Sequence, residues 1–137
     1  MGLYLCIFEG DEEIDGVEVG PYVDFDKLRD CVVRELEGGS AGSKFPTLIL
    51  HSDCDGKWSP AEAGKLEEEL IEIGDKFRRR PPIPINSDWQ KQVIKSFGLQ
   101  INNLYDCFFD VDGESLLERL INLAKLSERR DLPILFQ

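Results

Sequence analysis

The sequence is poor in the side chains that most enzymes use for acid–base and nucleophilic chemistry. It contains a single histidine, His51, among 137 residues. It has neither the GxSxG elbow of many hydrolases nor a phosphate-binding loop, and the glycines at 38, 39 and 42 lack the spacing of a nucleotide fingerprint. The sequence therefore predicts a protein that is not an enzyme.

Basic side chains are also scarce. The chain has 16 Lys and Arg against 27 Asp and Glu, which gives a formal net charge of -11. Because a nucleic-acid-binding surface needs clustered Lys and Arg to displace counterions from phosphates, this balance argues against nucleic acid as a partner. The same field repels anionic lipid and attracts basic proteins over long range, although acidity is also an ordinary means of staying soluble.

Long apolar runs are missing. No run approaches the roughly 18 residues that a membrane-spanning helix needs. The apolar run at 3–8 is followed at once by Glu9 and Asp11 and has no basic region before it, unlike a secretory signal peptide. We expect a cytoplasmic protein without a membrane partner.

The cysteines do not form the closely spaced pairs that bind zinc or carry redox chemistry. The chain has four, and no CxxC motif joins any two of them. Three of them lie among apolar residues and are predicted to be small buried side chains. These three are Cys6, Cys31 and Cys107.

Strand and helix patterns follow each other along the chain and predict one α+β domain over residues 1–137. We expect a single mixed sheet of four or five strands with three or four helices packed against it. The predicted strands comprise a hairpin over 2–23 with an acidic tip, a central strand at 45–50, and strands at 105–111 and 132–136. Helices are predicted to begin near residues 25, 60, 88 and 114.

The helix near residue 60 has the clearest boundary. Ser59-Pro60-Ala61-Glu62 is a capping box with proline at the first helical position. An apolar stripe with helical spacing follows, formed by Ala63, Leu66, Leu70, Ile73 and Phe77. Ser87 to Gln90 forms a second, weaker box, and Asp24 is predicted to cap the first helix.

The segment 51–62 has a partial calcium-loop pattern. Asp53, Asp55 and Gly56 occupy the third, fifth and sixth positions, and Glu62 occupies the twelfth, which supplies the bidentate carboxylate. The first position is His51, a poor ligand for a hard cation. A turn followed by a helix cap explains the same residues and is the preferred interpretation. The sequence therefore predicts no cofactor, with calcium as the alternative.

Acidic residues are concentrated near the N-terminus. Between residues 9 and 18 there are six acids and no base, namely Glu9, Asp11, Glu12, Glu13, Asp15 and Glu18. A charge run of this kind is typical of a solvated loop. It is also suited to contact the positive surface of a basic partner, which makes these six residues the candidate binding site.

Several motifs together resemble a known family. They are the segment from His51 to Pro60, the Leu66–Leu70 helix, the turn Asp110-x-Asp112-Gly113-Glu114 predicted to be capped by aspartate, and the ending 132–137. In these motifs and over most of its length the chain resembles bacterial immunity protein family seventy, small proteins associated with polymorphic toxin systems. The resemblance implies a protein that binds and neutralises a cognate toxin domain. It assigns no toxin contact to particular residues.

Three hypotheses for the function therefore remain. The first is an intracellular immunity protein that binds a toxin, for which acidity predicts a basic partner. The second is a calcium-responsive module that uses Asp53, Asp55 and Glu62. The third is a small hydrolase or transferase of unrecognised type, for which Cys54 and His51 are the one nucleophile and base close together in the sequence.

Overall fold

A computed structural model describes residues 2–51 and 56–137. Its single sheet contains four strands, with the order β2-β1-β4-β3 and antiparallel pairing between all described neighbours. The strands are β1 (Gly2–Glu9), β2 (Glu12–Pro21), β3 (Lys57–Trp58) and β4 (Ile134–Phe136). The α+β class and the strand number agree with the sequence, while the pairing is antiparallel where a mixed sheet was expected.

Five α-helices are described, one more than the highest number expected. They are α1 (Tyr22–Leu36), α2 (Pro46–Ile49), α3 (Pro60–Phe77), α4 (Asp88–Phe97) and α5 (Leu116–Arg130). None of the helices in the described ranges combines the length and apolarity that crossing a membrane requires.

The helices pack on one side of the sheet and enclose the core there. Leu3, Leu5 and Ile7 of β1 are completely buried in this core, and Cys31 and Cys107 are buried with them. Cys6 is buried as well, but it projects to the other side of β1. Burial raises the pKa of the Cys31 thiol to about 11. The core therefore contains inert thiols rather than reactive ones.

Helix α3 begins as the sequence predicts. The Ser59 hydroxyl accepts from the Glu62 backbone N–H at 3.1 Å, and a Glu62 carboxylate oxygen accepts from the Ser59 N–H at 3.0 Å. The whole predicted apolar stripe of α3 is buried. This helix packs against α5, whose N-cap is Ser115 and whose first residue is Leu116 rather than Glu114.

The strand predicted at 45–50 is wrong, because this segment forms the short helix α2. Pro46 occupies the first turn, where its missing N–H is not needed. The Glu69 carboxylate accepts from the N–H groups of Thr47 at 3.1 Å and Leu48 at 3.0 Å. At the other end, the Arg29 guanidinium donates to the carbonyl oxygen of Ile49. Phe45, Leu48 and Ile49 are buried as predicted, but in a helix closed by distant side chains, and Leu50 is exposed.

The strand predicted at 105–111 is also wrong. Tyr105–Cys107 forms one turn of 3₁₀-helix, and only Phe109 of this segment makes a bridge, to Ser115, in the described pairing. A short apolar run buried on all sides has no period by which a strand could be recognised. The turn that follows is as predicted, since an Asp110 carboxylate oxygen accepts from the N–H groups of Asp112 at 2.9 Å and Glu114 at 3.0 Å.

Two predicted caps are not formed. Helix α1 begins at Tyr22, before Asp24, whose buried carboxylate instead accepts from the indole N–H of Trp89 at 2.8 Å. Among the described hydrogen bonds, none closes the capping box predicted at Ser87, although α4 does end at Gly98 with a φ of 64°. The contact between Asp24 and Trp89 joins the first turn of α1 to α4.

Candidate partner-binding face

The candidate acids lie mostly on a strand rather than in a loop. The β1–β2 turn contains only Gly10, with a φ of 65°, and Asp11. Glu12 to Glu18 belong to β2, which is at the edge of the described sheet. Successive side chains of a strand point to opposite faces of the sheet, so each of these carboxylates leaves the backbone toward a defined side.

Strand pairing sorts the acids between two sides of the sheet, because directly paired residues project to the same side. Glu9 pairs with Glu12, and Asp15 pairs with Ile7, whose side chain is in the core on the helix side. Further pairs project to the opposite side, namely Tyr4 with Glu18, Cys6 with Gly16, and Phe8 with Glu13. We call this side the open face. On β1 and β2 it consists of Tyr4, Cys6, Phe8, Glu13, Gly16 and Glu18, and the pairing of Cys6 with Leu135 and of Leu135 with Lys57 extends it across β4 and β3.

Two arginine side chains of α5 lie beside the hairpin on the helix side. Arg130 forms an ion pair with Glu9 at 3.0 Å. The Arg119 guanidinium donates to the Gly16 carbonyl oxygen at 2.7 Å and forms an ion pair with Glu114 at 2.6 Å. The Glu114 hydrogen bond is the main cause that raises the pKa of Arg119, and the charge of Asp15 adds to it. Part of the hairpin charge is therefore already compensated on this side.

The open face carries uncompensated charge beside aromatic rings. Glu13 and Glu18 are exposed, whereas Tyr4 and Phe8 are half-buried. Among the ion pairs of the described residues, none involves Glu13 or Glu18. The Tyr4 hydroxyl donates to a Glu13 carboxylate oxygen at 2.8 Å. Burial, followed by this hydrogen bond, raises the pKa of Tyr4 to about 12, so the phenol remains a donor at neutral pH.

Comparison with known proteins places this fold in a family. The family model described as immunity protein 70 matches residues 3–136. The chain belongs to the immunity protein 70 family. Neither the curated proteins nor the solved structures contain a match to it. The family resemblance of the sequence is thereby confirmed over nearly the whole chain, including both strands that carry the open face.

In this immunity protein 70 family member, the calcium hypothesis stays a prediction. Asp53 and Asp55 lie outside the described residues. Glu62 is engaged in the α3 cap, and the hydrogen bond from the Ser59 backbone is the main cause that lowers its pKa. Within the described ranges, no group of three or more His, Cys, Asp or Glu side chains is placed to hold a metal ion.

The thiol–imidazole hypothesis also stays a prediction, since Cys54 lies outside the described residues. The His51 ring is stacked on Phe136 with centroids 4.5 Å apart, and it lies 5.0 Å from Trp58. Its Nε2 donates to the Lys57 carbonyl oxygen at 2.8 Å. These contacts give His51 a structural role between the end of α2 and the sheet.

Sequence analysis missed Tyr4 and Phe8 as members of the site. Both belong to the apolar run at 3–8, and the structure places them on the open face between the acids. The alternation of Tyr4, Cys6 and Phe8 with Leu3, Leu5 and Ile7 was the available signal, because alternate residues of a strand project to opposite sides.

Proposed function

We propose that this protein is an intracellular immunity protein that binds a cognate bacterial toxin domain and neutralises it by protein–protein contact. The observation that carries the proposal is the family match over residues 3–136. The acidic hairpin adds to it, because exposed carboxylates on an edge strand favour a basic partner. The proposal assigns no catalytic step and no cofactor to this chain.

The net charge of -11 gives such a protein two advantages. Long-range attraction raises the rate at which a basic partner is encountered, which matters for a protein that must reach a toxin before the toxin acts. At contact, the hairpin presents carboxylates to positive groups of the toxin. Neutralisation follows when the bound protein covers the toxin's active site.

Capture followed by a protection assay tests this function. The tagged protein is used to capture partners from its native host at low salt, and each partner is then expressed alone and together with this protein. We expect a basic partner with a toxin domain that is released by moderate salt. Its expression should stop growth, and co-expression of this protein should restore growth. Partners whose expression leaves growth unchanged, or whose toxicity persists during co-expression, would contradict the proposal.

A further inference from the structure

The Tyr4 ring reaches across to Gly16 of the neighbouring strand. A Cβ atom at position 16 would collide with the phenol oxygen and Cζ of Tyr4, so only glycine leaves room for the ring there. Gly16 is the register partner of Cys6, which lies two residues along β1 from Tyr4. The ring therefore crosses diagonally from β1 to reach Gly16. Its orientation is further fixed by the hydroxyl bond to Glu13. The aromatic surface is therefore held in place before any partner arrives.

Carboxylates stand at both ends of this ring. Glu18 is the direct cross-strand partner of Tyr4, and Glu13 receives the hydrogen bond of its hydroxyl. Phe8, the cross-strand partner of Glu13, adds a second half-buried ring on the same face. A carboxylate has about four acceptor positions, so Glu13 retains capacity after accepting one bond from Tyr4.

We propose that Tyr4, Glu13 and Phe8 form a receptor for one arginine side chain of the toxin domain. This inference rests on the proposed function and specifies which chemistry the open face recognises. A guanidinium stacks on an aromatic face through its cation–π attraction and donates paired hydrogen bonds to a carboxylate in the same plane. Tyr4 supplies the face, Glu13 supplies the acceptor, and Phe8 contacts the methylene groups of the arginine.

Charge complementarity supports this occupant. Glu13 and Glu18 make no ion pair among the described residues, whereas Glu9, on the helix side of the same hairpin, is paired with Arg130. The strand pairing also places Lys57 on the open face, but on β3, two strands from β1, and it forms no ion pair with either glutamate among the described residues. A cation of the partner can therefore pair with Glu13. Aromatic residues and arginine are also the groups that contribute most to binding energy in protein interfaces.

The test uses a defined probe and does not require the toxin. Isotope-labelled protein is titrated at low salt with the peptide acetyl-Ala-Arg-Ala-amide and, in parallel, with the same peptide carrying citrulline, which keeps the shape of arginine without its charge. We expect NMR shift changes that are confined to Tyr4, Phe8 and Glu13 and their neighbours, with saturation in the millimolar range for arginine alone. Shifts that are absent, or that spread over all exposed acids, would overturn the proposal.

Matched variants separate recognition from bulk charge. Glu13→Gln keeps an acceptor for the Tyr4 hydroxyl, so the hairpin stays folded, while Glu12→Gln removes the same charge from the opposite side. We expect Glu13→Gln to weaken arginine binding by about tenfold and Tyr4→Leu by a similar factor, with Glu12→Gln within about twofold of wild type. Thermal unfolding of each variant confirms its fold. Equal losses in Glu12→Gln and Glu13→Gln would overturn the receptor.

The two proposals fail in different ways. If the arginine peptide binds as expected but no toxin is neutralised, the receptor stands as a binding site and the immunity function falls. If a toxin is neutralised while Glu13→Gln and Glu12→Gln bind the peptide equally, the function stands and the receptor is wrong.

Discussion

At the residue scale, the carboxylate of Glu37 stabilises the fold rather than serving as a binding group. Its side chain is only 4% exposed and lies just after the end of α1. The carboxylate accepts from the backbone N–H groups of Gly42 at 3.0 Å, Lys44 at 2.8 Å and Phe45 at 2.8 Å. A buried charge is tolerated when it is satisfied in this way. Glu37 therefore holds the loop that leads into α2.

Replacing Glu37 should destabilise the fold strongly. Glu37→Ala leaves three N–H groups without their acceptor, and we expect the free energy of unfolding in urea to fall by about 3 kcal/mol. Glu35→Ala is the control, because the ion pair of Glu35 with Arg80 spans 4.0 Å and is partly exposed, which predicts a loss below about 1 kcal/mol. Losses of the same size in both variants would show that the Glu37 contacts contribute little.

Helices α2 and α3, at the element scale, show which parts of the fold a sequence can reveal. Helix α3 was predictable because its cap, its proline and its apolar stripe are all local. Helix α2 was not, because the acceptor for its first N–H groups is Glu69, 22 residues from Thr47 and 21 from Leu48. A segment of four helical residues is too short to nucleate by itself, so tertiary contacts decide its structure.

The α3 cap gives a prediction that also bears on calcium. Ser59→Ala removes the hydroxyl acceptor and should lower the unfolding free energy by about 1 kcal/mol. Glu62→Gln keeps the capping box, since glutamine serves equally at this position, but removes the carboxylate that a calcium site would require. Because the pKa of Glu62 is lowered in the fold, the charge itself stabilises the protein slightly, and we therefore expect Glu62→Gln to lose less stability than Ser59→Ala.

Thermal unfolding with and without millimolar calcium completes the comparison. The cap interpretation predicts that calcium changes the melting temperature of neither wild type nor Glu62→Gln. A calcium-dependent rise in the melting temperature of wild type that is lost in Glu62→Gln would instead establish the calcium module.

At the scale of the whole molecule, the side of the sheet to which each hairpin acid projects could not be predicted from the sequence. The sequence located all six acids and their hairpin, yet it could not assign them to sides. In a regular strand Glu13 and Asp15 would share a side, because they are two residues apart. The register shift between Ile7 and Phe8 separates them, so that Asp15 faces Arg119 and Glu13 faces outward. A bulge of this kind inserts a residue without a clear sequence pattern.

The division of charge has a consequence for association. Glu9, which Arg130 compensates, contributes less to the outward field than Asp11, Glu12 and Glu13, none of which has an ion pair among the residues that the structure describes. The hairpin should therefore contribute more to the long-range attraction of a basic toxin than the number of its acidic residues alone suggests.

Association kinetics with the toxin domain test this central claim most directly. The hairpin variant carries Asp11, Glu12 and Glu13 replaced by Lys. The control carries the same charge change on α1, α3 and α4, with Asp30, Glu68 and Asp88 replaced by Lys. These three exposed carboxylates likewise have no ion pair among the described residues. At low salt we predict that the association rate constant of the hairpin variant falls by about tenfold or more, that the control stays within about threefold of wild type, and that the difference shrinks as salt rises. Equal rate constants for the two variants would contradict the account, because the hairpin would then contribute no more than any other acidic surface.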